Sequence, residues 1–188
     1  MTLTTIDPTP ALVVIDLQKG IVSAHTDDAV TTVVRHAARL AAEFRQQGLP
    51  VVLVNVTGRA PGRTETGRSG SSVALPTGST DLIDELDVQP ADHLITKRRR
   101  SAFHDTGLDT LLRDLSVTQV VLAGLSTSAG VESTARSASD YGYHVVVVTD
   151  AMSDADADAH RHGIERVFPK LGETATTAEI IDRIQATR

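Results

Sequence analysis

Two charged residues directly follow short apolar runs, and their types suit proton transfer. Asp16 follows the run Ala-Leu-Val-Val-Ile at 11–15, and Lys97 follows Leu-Ile-Thr at 94–96. A charged group in such a place needs a partner, because burial of an unpaired charge is strongly unfavourable. We therefore expect the Asp16 carboxylate and the Lys97 ammonium to lie together. The pair is either a structural ion pair or a general acid or base held by a cation.

A third feature is the turn at 124–130, which reads Gly-Leu-Ser-Thr-Ser-Ala-Gly and precedes a helical pattern. It departs from the nucleophile elbow of serine hydrolases, because Ser128 stands where that motif has its last glycine. It also lacks the Gly-Lys-Ser/Thr of a phosphate loop. Small residues at a helix start allow backbone N–H groups to approach a ligand carboxylate or an oxyanion. We expect the N–H groups of this turn to bind an anion in this way.

The elements that must position these residues alternate along the chain. Short runs rich in Val, Ile and Leu predict parallel strands covered on both faces, at 11–16, 50–56, 93–96, 119–123 and 144–149. Helical patterns occupy 27–47, 107–115, 129–141, 154–168 and 177–185. This alternation predicts an α/β fold with helices on both faces of a parallel sheet. Ligands bind such sheets beyond the carboxyl ends of the strands, where Asp16, Lys97 and the turn are expected.

The segment 57–79 breaks this alternation. It is rich in Gly, Arg, Ser and Thr and contains few residues to bury. A connection of this length in a compact domain is either functional or disordered. It therefore predicts an active-site flap or a mobile loop after the second strand.

Composition limits the classes of function. A chain of 188 residues is expected to form one domain over 1–188. The net charge of −6 argues against a nucleic-acid binder, and the basic run at 97–100 has no interleaved aromatics. No apolar run is long enough for a membrane span, and no signal-peptide pattern is evident, so the prediction is cytoplasmic. The absence of Cys excludes disulfides, thiolate metal sites and a cysteine nucleophile.

Two acidic or histidine-rich patterns do not predict a metal. Asp154, Asp156, Asp158 and Glu165 partly match a calcium loop, but Ala159 takes the place of its glycine. Carboxylates at this predicted helix start suit the helix dipole instead. The histidines at 160 and 162 are two apart, not the four that would put them on one helix face. We expect neither a metal nor a cofactor.

The motifs together resemble one family, the isochorismatase-like hydrolases. They match in order over nearly the whole chain, at 13–18 (Val-Val-Ile-Asp-Leu-Gln), 96–103 (Thr-Lys-Arg-Arg-Arg-Ser-Ala-Phe), 124–136, 142–151 and His160. The resemblance implies a single-domain, Rossmann-like three-layer sandwich with a six-stranded parallel sheet. It also implies a small-molecule substrate and a homo-oligomer, as a dimer or tetramer.

Most members of that superfamily use an Asp-Lys-Cys triad, which the match places at Asp16, Lys97 and Gly130. The nicotinamidase branch also binds a metal through Asp-x-His, which reads Asn-Val-Thr at 55–57 here. Amidase chemistry through a thioester is thus excluded. True isochorismatases dispense with the nucleophile and hydrolyse a vinyl ether to pyruvate, which makes Asp16 the general acid. The resemblance also implies substrate contacts at Gln18, Phe103, Leu125, Ser126 and Thr127.

The chain departs from the isochorismatase branch in its pocket motifs. It has Arg-Arg-Arg at 98–100 where Trp-x-Tyr is familiar, and Ser-Thr-Ser at 126–128 where that branch has Tyr-Ala-His. These arginines are expected either to bind a carboxylated substrate or to face a subunit interface. Three functions stay open: hydrolysis of isochorismate or a similar vinyl ether, hydrolysis of another substrate by Asp16-activated water, and ligand binding without catalysis. Lys97 lowers the pKa of Asp16, whereas desolvation by a bound substrate and the carboxylates of that substrate raise it, so the sequence leaves the protonation of Asp16 undecided.

Overall fold

The computed structural model describes residues 3–24, 28–65 and 76–187. The strands are β1 (Pro10–Ile15), β2 (Val51–Val56), β3 (His93–Lys97), β4 (Gln119–Leu125), β5 (His144–Ser153) and β6 (Glu173–Ala175). The helices are α1 (Lys19–Val22), α2 (Asp28–Gln46), α3 (Leu108–Asp114), α4 (Glu132–Asp140), α5 (Ala157–His162) and α6 (Thr177–Ala186). All six strands are parallel, in the order β3-β2-β1-β4-β5-β6. The predicted α/β class and the six-stranded parallel sheet are confirmed.

The sheet is the middle of three layers, because alternate side chains of its strands enter two separate cores. Leu12 and Val14 of β1 pack in the core that contains α2 and α6. Val13 and Ile15 pack in the core that contains α3 and α4. Continuous apolar runs thus serve both faces, which is why the central strands lack polar alternation.

The strand order reverses between β1 and β4. From β1 the chain adds β2 and β3 on one side, and β4, β5 and β6 then follow on the other. In open parallel sheets this switch point leaves a crevice at the carboxyl ends of the two strands. Asp16 directly follows β1, and the turn at 126–131 directly follows β4.

The structure departs from several local predictions. The prediction that each strand is covered on both faces is wrong for β3, which is an edge strand with Leu94 62% exposed. Helices form within the predicted ranges 129–141 and 154–168, and they are joined by π-helical turns at Thr127–Val131 and Gly163–Val167. Apolar runs do not predict strand β6, because Glu173–Ala175 contains a single apolar residue. The spacing of apolar residues does not show which element packs on a strand, because that depends on the tertiary structure.

The segment 57–79 is described at its two flanks, and 66–75 lie outside the described residues. On the first flank, a Cβ placed at Gly58 would lie 3.2 Å from the Cβ of Arg98. On the second, a Cβ at Gly20 would lie 2.7 Å from the Cβ of Ser79. Both flanks therefore lie against residues that follow the carboxyl ends of strands. In the described ranges, no helix is long and apolar enough to cross a membrane.

Candidate active site

The structure brings Asp16 and Lys97 together at the switch point. The Lys97 Nζ lies 2.8 Å from Oδ2 of Asp16 and donates a second hydrogen bond, at 2.7 Å, to the Arg100 carbonyl. Strand β2 separates β1 from β3, so the lysine side chain reaches past the end of β2. The side chain of Lys97 is 1% exposed and that of Asp16 is 9% exposed. The pair is therefore largely shielded from solvent.

Burial dominates the protonation of Asp16. It raises the pKa of the carboxyl to about 6, although the charge of Lys97 and its hydrogen bond act in the opposite direction. Oδ2 accepts the bond from Lys97. Oδ1 is buried and has no hydrogen-bond partner in the described part of the chain. The proton of the neutral acid therefore belongs on Oδ1, which is free to donate it.

Gly130 lies directly against this carboxyl. A Cβ placed there would lie 3.1 Å from Oδ2 of Asp16, 2.8 Å from Cγ2 of Ile15 and 3.2 Å from the carbonyl oxygen of Leu125. The position matched to the family's cysteine therefore faces the acid, but the side chain of Ile15 already occupies the adjacent space. This geometry joins Asp16, Lys97 and Gly130 in one site.

We expect Gly130→Ala to lower the free energy of unfolding by about 1–3 kcal/mol, because its Cβ overpacks the contacts with Ile15 and Leu125. Urea unfolding followed by circular dichroism measures this change. Gly62→Ala is the matched control, because nothing lies within 4 Å of a Cβ there. Equal stability for both variants would show that the site accommodates a side chain at 130.

The turn after β4 is held by the chain itself. The Ser126 carbonyl accepts hydrogen bonds from the N–H groups of Ala129 and Val131, and Oδ2 of Asp154 accepts from the N–H and hydroxyl of Ser128. The expectation that the turn offers N–H groups to a ligand anion is therefore wrong for 128, 129 and 131. Burial raises the pKa of Asp154, but the hydrogen bonds from Ser128 and Asp156 outweigh it and bring the pKa below its usual value.

Asp156, in the same acidic segment, caps a helix. The Asp156 side chain accepts hydrogen bonds from the N–H groups of Asp158 and Ala159 at the start of α5. Within the described ranges, no group of three or more His, Asp or Glu side chains is arranged to hold a metal ion.

The buried side chain of Gln18 is held by backbone groups at the end of β2 and at Thr80. Its amide donates to the carbonyls of Val56 and Thr80, and its Oε1 accepts from the Val56 N–H at 2.8 Å. Asn55 donates to the same Thr80 carbonyl. Both Gln18 hydrogens are thus in use, and a donor bond from this amide to substrate requires that one of them be released.

The predicted contacts at 125–127 lie at the switch point. Leu125 is buried and joined to Ser126 by a cis peptide bond. Thr127 is fully buried, and its hydroxyl forms a 2.7 Å hydrogen bond with Nδ1 of His160. The resemblance pointed to His160, and this bond ties α5 to the turn.

The ring of Phe103 packs against two tyrosines. The ring lies 5.3 Å from that of Tyr141 and 5.9 Å from that of Tyr143, between centroids. These tyrosines follow the last turn of α4, whereas Gly130 precedes its first turn. The structure places this aromatic cluster at the opposite end of α4 from the acid.

Two groups that contact the site were not recognised from the sequence. One is the Arg100 carbonyl, which binds Lys97, and the other is the Thr134 hydroxyl, which binds the Gly130 carbonyl at 2.7 Å. The spacing of residue types predicts neither of these two contacts, because both depend on how separate segments of the chain pack.

Comparison with known proteins decides the family. The model of the isochorismatase domain matches residues 10–179. The chain belongs to the isochorismatase family. An uncharacterized isochorismatase family protein of Bacillus subtilis is 37% identical over 180 residues, which cover 93% of this chain and 94% of that protein. A solved isochorismatase family protein of Burkholderia thailandensis is 38% identical with a TM-score of 0.89, over 96% of this chain and 98% of that one.

Some of the relatives that this chain resembles have a named activity. The ureidoacrylate amidohydrolase RutB of Methylobacterium radiotolerans is 32% identical over an alignment 204 residues long, which covers 92% of this chain and 79% of that protein. The chain is therefore an isochorismatase-family hydrolase with the family's fold.

Proposed function

We propose that this hydrolase cleaves the vinyl ether of isochorismate or a similar small carboxylated substrate and releases pyruvate without a covalent intermediate. One observation carries the proposal. The buried Asp16 carboxyl, with a pKa of about 6, has an unpartnered Oδ1 and faces a glycine instead of a nucleophile. This arrangement suits proton donation to carbon.

The reaction needs one proton and one water. Oδ1 of Asp16 delivers its proton to the terminal vinyl carbon, and an oxocarbenium ion forms at the ether carbon. Water adds to that carbon and gives one proton back to Asp16, which leaves a hemiketal. The hemiketal then collapses to pyruvate, and its hydroxyl proton passes to the leaving oxygen to give the alcohol. Lys97 stabilises the carboxylate present between the two transfers. General acid catalysis of this kind contributes roughly 10²–10⁴-fold in rate.

Arginines next to the site support a carboxylated substrate. Arg98 and Arg100 follow Lys97 and are exposed. Among the described residues neither forms an ion pair, whereas Arg99 lies 3.9 Å from Asp105. Guanidinium groups bind carboxylates in a two-point geometry, so these two are our candidates for binding the carboxylates of the substrate.

The pH profile tests the role of Asp16. We expect kcat/KM for pyruvate release from isochorismate, followed with a coupled lactate dehydrogenase, to be level below pH 6. Above about pH 6 it falls roughly tenfold per pH unit, because the acid form of Asp16 is depleted. A rate that rises with pH and levels off above 6 would instead assign Asp16 as a base.

A second candidate is hydrolysis of an amide by water that ionised Asp16 activates. The similarity to a ureidoacrylate amidohydrolase favours it, and the absence of Cys excludes a thioester step. Ammonia release from ureidoacrylate without a burst, lost in Asp16→Asn, would select this candidate over pyruvate release. A chain that binds these compounds and turns over none of them would be a non-catalytic relative.

A further inference from the structure

We propose that Thr134 is a positioning residue, which holds the Asp16–Lys97 pair by joining the two segments that contact it. Thr134 lies in the first turns of α4 and is fully buried. The inference rests on the proposed function in taking Asp16 as the reacting group. Its test follows the titration of Asp16 and needs no substrate.

The Thr134 hydroxyl makes two hydrogen bonds in opposite senses. It donates to the Gly130 carbonyl at 2.7 Å and accepts from the Ala102 N–H at 3.1 Å. A hydroxyl has one proton and can also accept, so this single group satisfies a buried acceptor and a buried donor at once. It thereby connects the turn after β4 with the segment after β3.

Each of these two segments contacts the catalytic pair. Gly130 faces Oδ2 of Asp16, the oxygen that binds Lys97. Ala102 is two residues after Arg100, whose carbonyl binds Nζ of Lys97. Movement of Ala102 away from α4 would therefore move the acceptor that holds the lysine.

Neighbouring bonds fasten the same segment to α4. The hydroxyl of Ser101 donates to that of Ser137 at 2.8 Å and accepts from the Phe103 N–H at 3.2 Å. We call these contacts and the two bonds of Thr134 the α4 clasp. Thr134 is its member nearest to Gly130, and it alone binds both segments.

Loss of the Thr134 hydroxyl leaves two buried groups without partners. Valine has a similar shape but no hydroxyl, so the Ala102 N–H and the Gly130 carbonyl are released. We expect the segment at 100–102 to relax toward water and the Lys97 ammonium to follow its acceptor. Asp16 then loses part of the stabilisation of its charged form.

The experiment is a ¹³C NMR titration of the Asp16 carboxyl in aspartate-labelled protein, with the resonance assigned by its loss in Asp16→Asn. We expect Thr134→Val to move the midpoint upward by about half a pH unit or more, and Thr134→Ser to return it to the wild-type value. Ser101→Ala removes both bonds of the Ser101 hydroxyl but leaves the two bonds of Thr134, and it is expected to shift the midpoint in the same direction by less. This variant also serves if Thr134→Val does not fold.

Thr177→Val is the matched control. Thr177, at the start of α6, is also buried, and its hydroxyl donates a hydrogen bond to the Asp150 carboxylate. This variant should lower the melting temperature without moving the midpoint. A Thr134→Val midpoint equal to the wild type, or a Thr134→Ser midpoint that stays shifted, overturns the proposal. A shifted midpoint in a protein that releases no pyruvate would refute the proposed function and leave the positioning role standing.

Discussion

Asparagine in place of Asp16 is expected to lower kcat for pyruvate release by about 10²–10⁴-fold and to preserve the fold. The amide cannot deliver the proton that Oδ1 carries, while its oxygen still accepts the 2.8 Å bond from Lys97. Asparagine also tolerates the backbone of Asp16, whose φ of 53° lies in the left-handed region. The coupled assay at pH 5.5 measures the loss.

Alanine is a poorer test of the same role. It lacks a side chain that can bond locally in the left-handed region, and it leaves the buried Lys97 ammonium with the Arg100 carbonyl as its remaining partner. A loss of activity in Asp16→Ala would therefore have two causes, the missing proton donor and the strain in the backbone. An Asp16→Asn variant that retains more than about a tenth of wild-type kcat contradicts general acid catalysis by this residue.

The same variant is expected to lose the pH dependence of stability that Asp16 gives the wild type. Because the pKa of Asp16 rises from its usual 3.8 to about 6 on folding, wild-type stability falls as the pH rises through this window. The decline is on the order of 3 kcal/mol, and Asp16→Asn avoids it. Urea unfolding at pH 4 and pH 8 should therefore show this decline in the wild type and not in Asp16→Asn.

The second large effect concerns Lys97. We expect Lys97→Met to unfold close to the wild-type temperature at pH 5 and about 10 °C lower at pH 8. Without the ammonium, burial raises the pKa of Asp16 further, and the carboxylate forced to ionise at pH 8 has lost its cation. An unpaired buried charge destabilises a protein by about 3–5 kcal/mol, and each kcal/mol lowers Tm by about 2–4 °C at this size.

The double variant Asp16→Asn, Lys97→Met is the control for this effect. It contains neither charge, so the difference in Tm between pH 5 and pH 8 that Lys97→Met introduces should disappear. Scanning calorimetry of the four proteins at both pH values completes the cycle. If the single Lys97→Met variant shows the same loss of stability at pH 5, the lysine stabilises the fold through packing and not through its charge.

The expected burial of two charged side chains was sufficient to predict that they form a pair. Asp16 and Lys97 each follow apolar residues, and two buried charges of opposite sign are tolerated best as a pair. The structure places them 2.8 Å apart. The same logic identified the central strands, because runs that fill two cores have no polar alternation.

Local patterns were insufficient where neighbours decide the outcome. The Leu-Ile-Thr of β3 looks like a central strand, yet β3 lies at the edge and Leu94 is exposed. Thr134 looks like an ordinary position in a helical pattern, yet its hydroxyl joins two segments of the site. Both outcomes depend on contacts between residues far apart in the chain, which composition and spacing do not contain.

The order of residue types along the chain is enough to establish the α/β class and to exclude thiol chemistry, and it indicates that Asp16 and Lys97 pair. It leaves the ionisation of Asp16 open, because desolvation and the lysine act in opposite directions on the pKa of the carboxyl. The balance between them depends on how the folded chain packs around that carboxyl. With the carboxyl almost fully enclosed, one oxygen on Lys97 and the other unpartnered, burial outweighs the cation and brings the pKa to about 6.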